Sequence, residues 1–383
     1  MNKKKEKYLL YLTILSYSLY YLQGGIYERG SVVPRISLLI ILAVDFVYWA
    51  KSIKCNKTLI TSSISIFFLL LFFSWLLSPK IVSSVEGSVI ITVGELKNAI
   101  IFLFSYFPFR YWVDHGVLNT KNARKISLLF FGVYIVGFFI KLYESLDYDF
   151  LLGENVTNNG GYMIAFIFPL TAFFFREKKI WFFIAISVIL VLMSAKRGAI
   201  LCVALEVFLF MLFKLKTKKL SYSIFYFVPF LVLAYVAYRY IGENEYLFER
   251  LNSGDSGGRD VLYDNAWKSF LQGDLLQQIF GYGFLQTIKK IGQFAHSDWY
   301  EIIVDHGITG IMMYLFVFYS LFRTYIRKVK KAADVYRIMF CSASCCWLVT
   351  SLFSMGYLAP EAAMLMIAIA ISEKGIKDDC LVE

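Results

Sequence analysis

The chain has 383 residues, 58% of them hydrophobic and 17% charged, with a net charge of +11. A soluble globular chain carries about 25% charged residues, so these proportions exclude a soluble enzyme with a membrane tail, a disordered chain and a disulfide-stapled secreted domain. What remains is a polytopic membrane protein: twelve spans of about 20 residues would use roughly 240 of them and leave little for any soluble domain.

In chain order, apolar runs between charge clusters predict spans at 8–23, 32–50, 59–77, 95–113, 126–143, 160–175, 180–195, 198–213, 221–241, 299–322, 338–356 and 359–372. The expected fold is all-α: one transmembrane domain over 1–383, a bundle of about twelve helices, with a single long outer loop, 242–298, between spans nine and ten. Lys3, Lys4, Lys5 and Lys7 precede the first apolar run, and no small-x-small cleavage site follows, so that span is expected to stay uncleaved. With the N-terminus inside, the segments expected in the cytoplasm hold 26 of the 39 Lys and Arg residues. This is the asymmetry of membrane topology, and it places both termini in the cytoplasm. The outer segment 144–158 is acidic instead, with Glu144, Asp147, Asp149 and Glu154. The net positive charge therefore belongs to short loops, and no basic surface for nucleic acid remains. None of Cys55, Cys202, Cys341, Cys345, Cys346 and Cys380 falls in an expected outer segment, which implies no disulfide framework. Cys341 and Cys345 share a helix face and read as small packing residues.

Two outer features depart from this pattern. Lys196 and Arg197 sit in the tight turn between spans seven and eight, on the wrong side for the topology rule. They can be read as side chains snorkelling at a helix end or as a fixed cationic site suited to a phosphate. The loop 242–298 is longer than a connection requires. Within it, residues 260–272 predict an interfacial helix with Asp260 as N-cap, an apolar stripe of Leu262, Ala266 and Phe270, and Trp267 beside it. Gly281-Tyr282-Gly283 and Ala295-His296-Ser297-Asp298-Trp299 follow.

Only three histidines are present. His115 lies in an inner loop and His306 within a span, where it could relay protons or be hydrogen-bonded in the bundle. His296 ends the long loop just above the membrane; it is either a surface residue or a base. No zinc spacing, nucleophile elbow, P-loop or dinucleotide fingerprint occurs. A metal held by Asp260, Asp264 and Asp298 is conceivable, but their spacing specifies nothing. Arg197 and Arg259 with His296 offer two guanidinium forks for phosphate oxygens and one imidazole, a set that suits chemistry on a lipid-linked diphosphate.

The residues also carry a resemblance. Met193-Ser194-Ala195-Lys196-Arg197-Gly198-Ala199 resembles the S-x-S-R-G-A turn of the O-antigen ligase and polymerase family. Gly258-Arg259, Trp267 and Gly281-Tyr282-Gly283 resemble its outer-loop pattern, and His296-Ser297-Asp298-Trp299-Tyr300 through Gly307-Ile308-Thr309-Gly310 resembles its H-N-x-x-L…G-I-x-G run. The resemblance covers roughly residues 155–325. Lys196 stands where the family more often has Ser, Ser297 replaces the usual Asn, and His306 occupies a position usually apolar or small. The resemblance implies a glycosyltransferase of the bacterial cytoplasmic membrane, active on the outer face. Such an enzyme moves glycan from undecaprenyl diphosphate to an acceptor glycan hydroxyl by an inverting route that needs no metal or other cofactor. It further implies that Arg197, Arg259 and Lys196 hold the diphosphate and that His296 acts at the acceptor hydroxyl. The expected reaction is polymerisation of repeat units of an O-antigen, capsule or exopolysaccharide, with a chain-length regulator and a flippase as further partners. The alternative is ligation of the glycan to lipid A core, protein or wall polymer. A lipid-glycan flippase or transporter is the rival of a different class; the chain shows no matching motif between its halves, as transporters commonly do.

Overall fold

The computed structural model describes residues 3–28, 30–55, 57–79, 91–152, 158–216, 239 and 258–376. The predicted span 221–241, apart from residue 239, and the first part of the outer loop, 242–257, lie outside the described residues. Within these limits the chain is helical, and the one bridge between extended residues joins Gln23 to Tyr27. A helix or a broken pair of helices lies at each of the other predicted spans: α1 (Lys3–Tyr21), α2 (Val32–Cys55), α3 (Leu59–Leu77), α4 (Ile91–Phe104), α5 (Tyr106–Asp114), α6 (Thr120–Leu152), α7 (Gly160–Ile167), α8 (Ile180–Met193) and α9 (Arg197–Lys216). After the undescribed stretch come α10 (Arg259–Leu271), α11 (Leu275–Phe280), α12 (Gln286–Ile291), α13 (Asp298–Arg327), α14 (Asp334–Phe353) and α15 (Ala363–Lys374). Among the described residues five helices are long and apolar enough to cross a membrane, within 32–54, 59–77, 120–145, 298–331 and 334–353, and Gly160–Phe174 and Ile180–Met193 are shorter apolar helices.

Burial orders the bundle. Residues Ala363 to Glu373 of α15 are all buried, so this helix is the central post. The helices around it expose apolar side chains outward, such as Leu39 and Val47 on α2 and Met312, Leu315 and Phe322 on α13. In water such faces would be unstable; facing hydrocarbon they cost nothing.

Three of the spans read as continuous from the sequence are broken in the structure. The 95–113 run divides at Ser105, whose hydroxyl donates to the Phe102 carbonyl at 2.8 Å and to the Ala363 carbonyl of α15 at 3.2 Å. After α7 the chain tightens into a 3-10 helix, Phe168–Phe174, with Pro169 in its first turn. In α13, Gly307 has non-helical dihedrals (φ 61°, ψ −159°). That kink frees the carbonyls ahead of it: Val304 and Asp305 accept from the amides of Tyr282 and Gly283 at 2.9 and 2.8 Å. The Gly-Tyr-Gly segment thus lies backbone to backbone on the broken span. A Cβ at Gly281 would strike the backbone of Asp305 and His306, which is why glycine stands there.

Candidate active site

The site is assembled from three segments far apart in sequence. The first is the α8–α9 turn. Ser194 caps α8, and its hydroxyl donates to the Val191 carbonyl at 2.6 Å and accepts from the Lys196 amide at 3.3 Å. Ala195 has φ 52°, a left-handed conformation that reverses the chain so that α9 begins at Arg197. The turn is tied to the start of α7: the Asn158 amide donates to the Ser194 carbonyl at 2.9 Å, and the Asn158 side chain donates to Phe138 O at 3.2 Å and accepts from the Gly160 amide at 2.7 Å. Gly198 leaves room for Tyr162, since a Cβ there would meet the Tyr162 hydroxyl.

The second segment is α10. The helix begins at Arg259, one residue earlier than predicted, and its N-cap is Gly258 (φ 77°), so Asp260 lies inside the first turn and is not the cap. Glycine takes that place because the left-handed backbone is strained for any residue with a Cβ. The expected stripe is present: Leu262, Ala266 and Phe270 are buried and Trp267 is exposed. Tyr263 stacks on Tyr300 of α13, with centroids 4.4 Å apart and planes at 7°, and this ties α10 to α13.

The third segment is the turn into α13. His296 has φ 56°, a conformation costing of order 1–3 kcal/mol that persists only where its surroundings enforce it. Here both flanks are clamped. The buried Ala295 amide donates to the Glu301 carboxylate. The Ser297 hydroxyl donates to the Ser351 carbonyl at 3.2 Å, and Trp299 Nε1 to the Ser351 hydroxyl at 3.1 Å. Asp298 is buried and accepts from the Tyr314 hydroxyl at 2.5 Å. His296 keeps part of its surface open to solvent, with the rest of the residue covered by protein.

Lys196, Arg197, Arg259 and His296 line one cavity of about 330 Å³, with Tyr162 and Ser354 among its other walls. None of its described lining residues is acidic. Both arginines are the first residues of their helices. A cation at a helix N-terminus works against the helix dipole by about 0.3–1 kcal/mol, and a bound anion reverses that sign. His296 is pushed below its ordinary 6.5, first by burial and then by the charges of Arg259 and Lys196. At neutral pH it is an unprotonated imidazole beside a cationic pocket, ready to accept a proton.

Residues 160–315 match the family model described as O-antigen ligase. The chain resembles that family. The match falls within the 155–325 stretch that carries the sequence motifs. Members of the O-antigen ligase family are glycosyltransferase-like enzymes, and the match together with the apolar helices makes this a membrane protein with an O-antigen ligase-like domain. No curated protein matches the chain.

Other sequence candidates lie elsewhere. His306 is fully buried beside the α13 kink, 6.1 Å from the Phe284 ring. Asp305 next to it accepts from the Leu285 amide, the Thr287 amide and the Thr287 hydroxyl, each at 2.7 Å, and so pins the loop. The three aspartates considered for a metal are not assembled: Asp298 is buried against Tyr314, and Asp264 is exposed and paired with Lys268. Among the described residues no group of three His, Cys, Asp or Glu could hold a metal ion. Cys202 and Cys346 are buried free thiols. Sequence reasoning missed Tyr162 and Ser354. Gly198 was the available signal for Tyr162; Ser354 had none, because it reaches the site from the end of α14.

Proposed function

We propose that this chain polymerises lipid-linked glycan repeat units, transferring a growing glycan from undecaprenyl diphosphate to a sugar hydroxyl. The carrying observation is that Lys196, Arg197, Arg259 and His296, from three separated segments, line one cavity without an acidic neighbour in its described wall. The diphosphate oxygens sit against the two guanidinium forks and Lys196. The acceptor hydroxyl gives its proton to His296, and the oxygen attacks the anomeric carbon from the face opposite the leaving group. The bond from that carbon to the diphosphate breaks, and its electron pair leaves on the diphosphate, whose growing charge the fixed cations stabilise. His296 then returns its proton to water. The donor supplies the driving force, so the reaction calls for no nucleotide or metal.

In this reading the protein lies in the bacterial cytoplasmic membrane with both termini in the cytoplasm and the cavity outside, and it works beside a flippase and a chain-length regulator. The second reading is transfer of finished glycan to lipid A core, protein or wall polymer; the family description, O-antigen ligase, favours it. Surface polysaccharide from a deletion strain separates the two on a gel. Single repeat units on the core mark a lost polymerase, whereas full-length glycan stranded on undecaprenyl diphosphate marks a lost ligase. An unchanged ladder refutes both.

A further inference from the structure

The cationic cavity does not end at His296. A second cavity of about 280 Å³ shares His296, Tyr162, Asn159 and Ser354 with it. A third, of about 350 Å³, shares Asn98, Lys141 and Glu361 with the second. The three form one trough, and its character changes along its length. The first part is cationic. The far part holds Glu95, Glu144 and Glu361 against Lys141, with Asn98, Tyr20 and Tyr21. His296 stands where the two characters meet.

The far part is built. Lys141 Nζ pairs with the Glu361 carboxylate at 2.5 Å. The short Pro360–Ala362 turn that carries Glu361 is held by two tyrosine hydroxyls, Tyr134 donating to the Glu361 carbonyl at 2.8 Å and Tyr21 to the Pro360 carbonyl at 2.7 Å. Asn98 donates to the Glu95 carboxylate at 3.1 Å. A second diphosphate would meet an excess of carboxylates there, and a polyprenyl chain would strip water from polar groups without replacing it. A hydroxyl-rich neutral ligand suits both: each hydroxyl donates and accepts, so carboxylate, ammonium and amide all find partners, and tyrosine rings cover the apolar faces of a sugar.

We propose that the pocket of Asn98, Lys141 and Glu361 binds the acceptor saccharide and presents its hydroxyl to His296, with the donor diphosphate on the opposite side of that imidazole. This rests on the transfer reading above. It names a second substrate site, on α4, α6 and the turn before α15, largely outside the residues that match the family model.

The test uses the full chain in nanodiscs and two probes: the oligosaccharide released by mild acid from the host's lipid-linked glycan, and undecaprenyl diphosphate without sugar. Asn98→Ala and Glu361→Gln should each weaken oligosaccharide binding at least tenfold and leave undecaprenyl diphosphate binding within twofold. Arg197→Ala should do the reverse. Thermal unfolding controls for Glu361→Gln, whose ion pair is structural as well; Asn98→Ala, at a half-buried side chain, carries the test if that variant does not fold. Unchanged oligosaccharide affinity in Asn98→Ala, or no oligosaccharide binding by the unaltered chain, overturns the proposal. Unchanged undecaprenyl diphosphate affinity in Arg197→Ala overturns the transfer reading instead.

Discussion

His296 couples a backbone conformation to a proton, and the two can be separated by substitution. The residue sits at φ 56°, where a side chain with a Cβ costs about 1–2 kcal/mol. Glycine relieves that cost but adds about 0.5–1 kcal/mol of chain entropy on folding. His296→Gly should therefore fold at least as stably as His296→Ala, by up to about 1.5 kcal/mol. Both should lose the proton acceptor and with it about 10²–10⁴ in turnover, or about 2.7–5.4 kcal/mol of barrier at 1.36 kcal/mol per decade. The pH profile supplies an independent reading. Burial and the charges of Arg259 and Lys196 hold the imidazole below 6.5, so the rate should be flat at and above neutrality and fall only in acid, where protonation removes the base. Arg259→Gln takes away one charge that disfavours the imidazolium. The imidazole pKa then rises and the acid limb moves to higher pH, whatever the height of the plateau. The assay is transfer by purified protein from a synthetic undecaprenyl-diphosphate glycan, with melting temperatures measured in parallel. Turnover of His296→Ala within threefold of the unaltered protein, or an acid limb that Arg259→Gln leaves in place, refutes the base assignment.

Arg197→Lys keeps the charge but loses the bidentate fork; transfer should fall at least tenfold at normal membrane abundance, and equal loss of protein and product would mark a structural role. Gly198→Ala places a Cβ against the Tyr162 hydroxyl and should depress activity, with Tyr162→Phe in the same chain restoring part of it. Asp305→Asn removes acceptor capacity from three hydrogen bonds; the expected loss is about 1–3 kcal/mol of stability, seen as a lower melting temperature. In a chain without its native cysteines, Lys268→Cys should react with an impermeant thiol reagent in intact cells and Lys331→Cys should not; the opposite pattern inverts the topology. EDTA should leave transfer unchanged, and loss restored by a divalent ion would replace the imidazole route by a metal-assisted one.

The apolar helices were legible because hydrocarbon demands long apolar runs, and the cationic turn because Lys196 and Arg197 depart from the charge pattern that the sequence predicts for that side. The stripe Leu262–Ala266–Phe270 was legible for the same kind of reason, a period of 3.6. What hydropathy does not carry is where a helix breaks. Gly307 sits inside an apolar run like many glycines in membrane helices, and only the Gln278–Ile279 backbone packed against it explains its conformation. The N-cap of α10 fell to Gly258 instead of Asp260 because the loop arrives in a left-handed conformation, which local preference alone does not reveal. The contribution of Ser354 and Glu361 was invisible for a different reason: they reach the trough from the C-terminal side of α14, Ser354 from 58 positions beyond His296 and Glu361 from 220 beyond Lys141.

The way the Gly-Tyr-Gly segment lies on the kinked α13 limits which part of the loop can move. Amides of residues 282, 283, 285 and 287 are all bound by Val304 and Asp305, so this part of the loop is welded to the span and behaves as masonry, not as a hinged cover. Any movement that widens the cavity of Lys196, Arg197, Arg259 and His296 therefore has to come from elements other than 282–287.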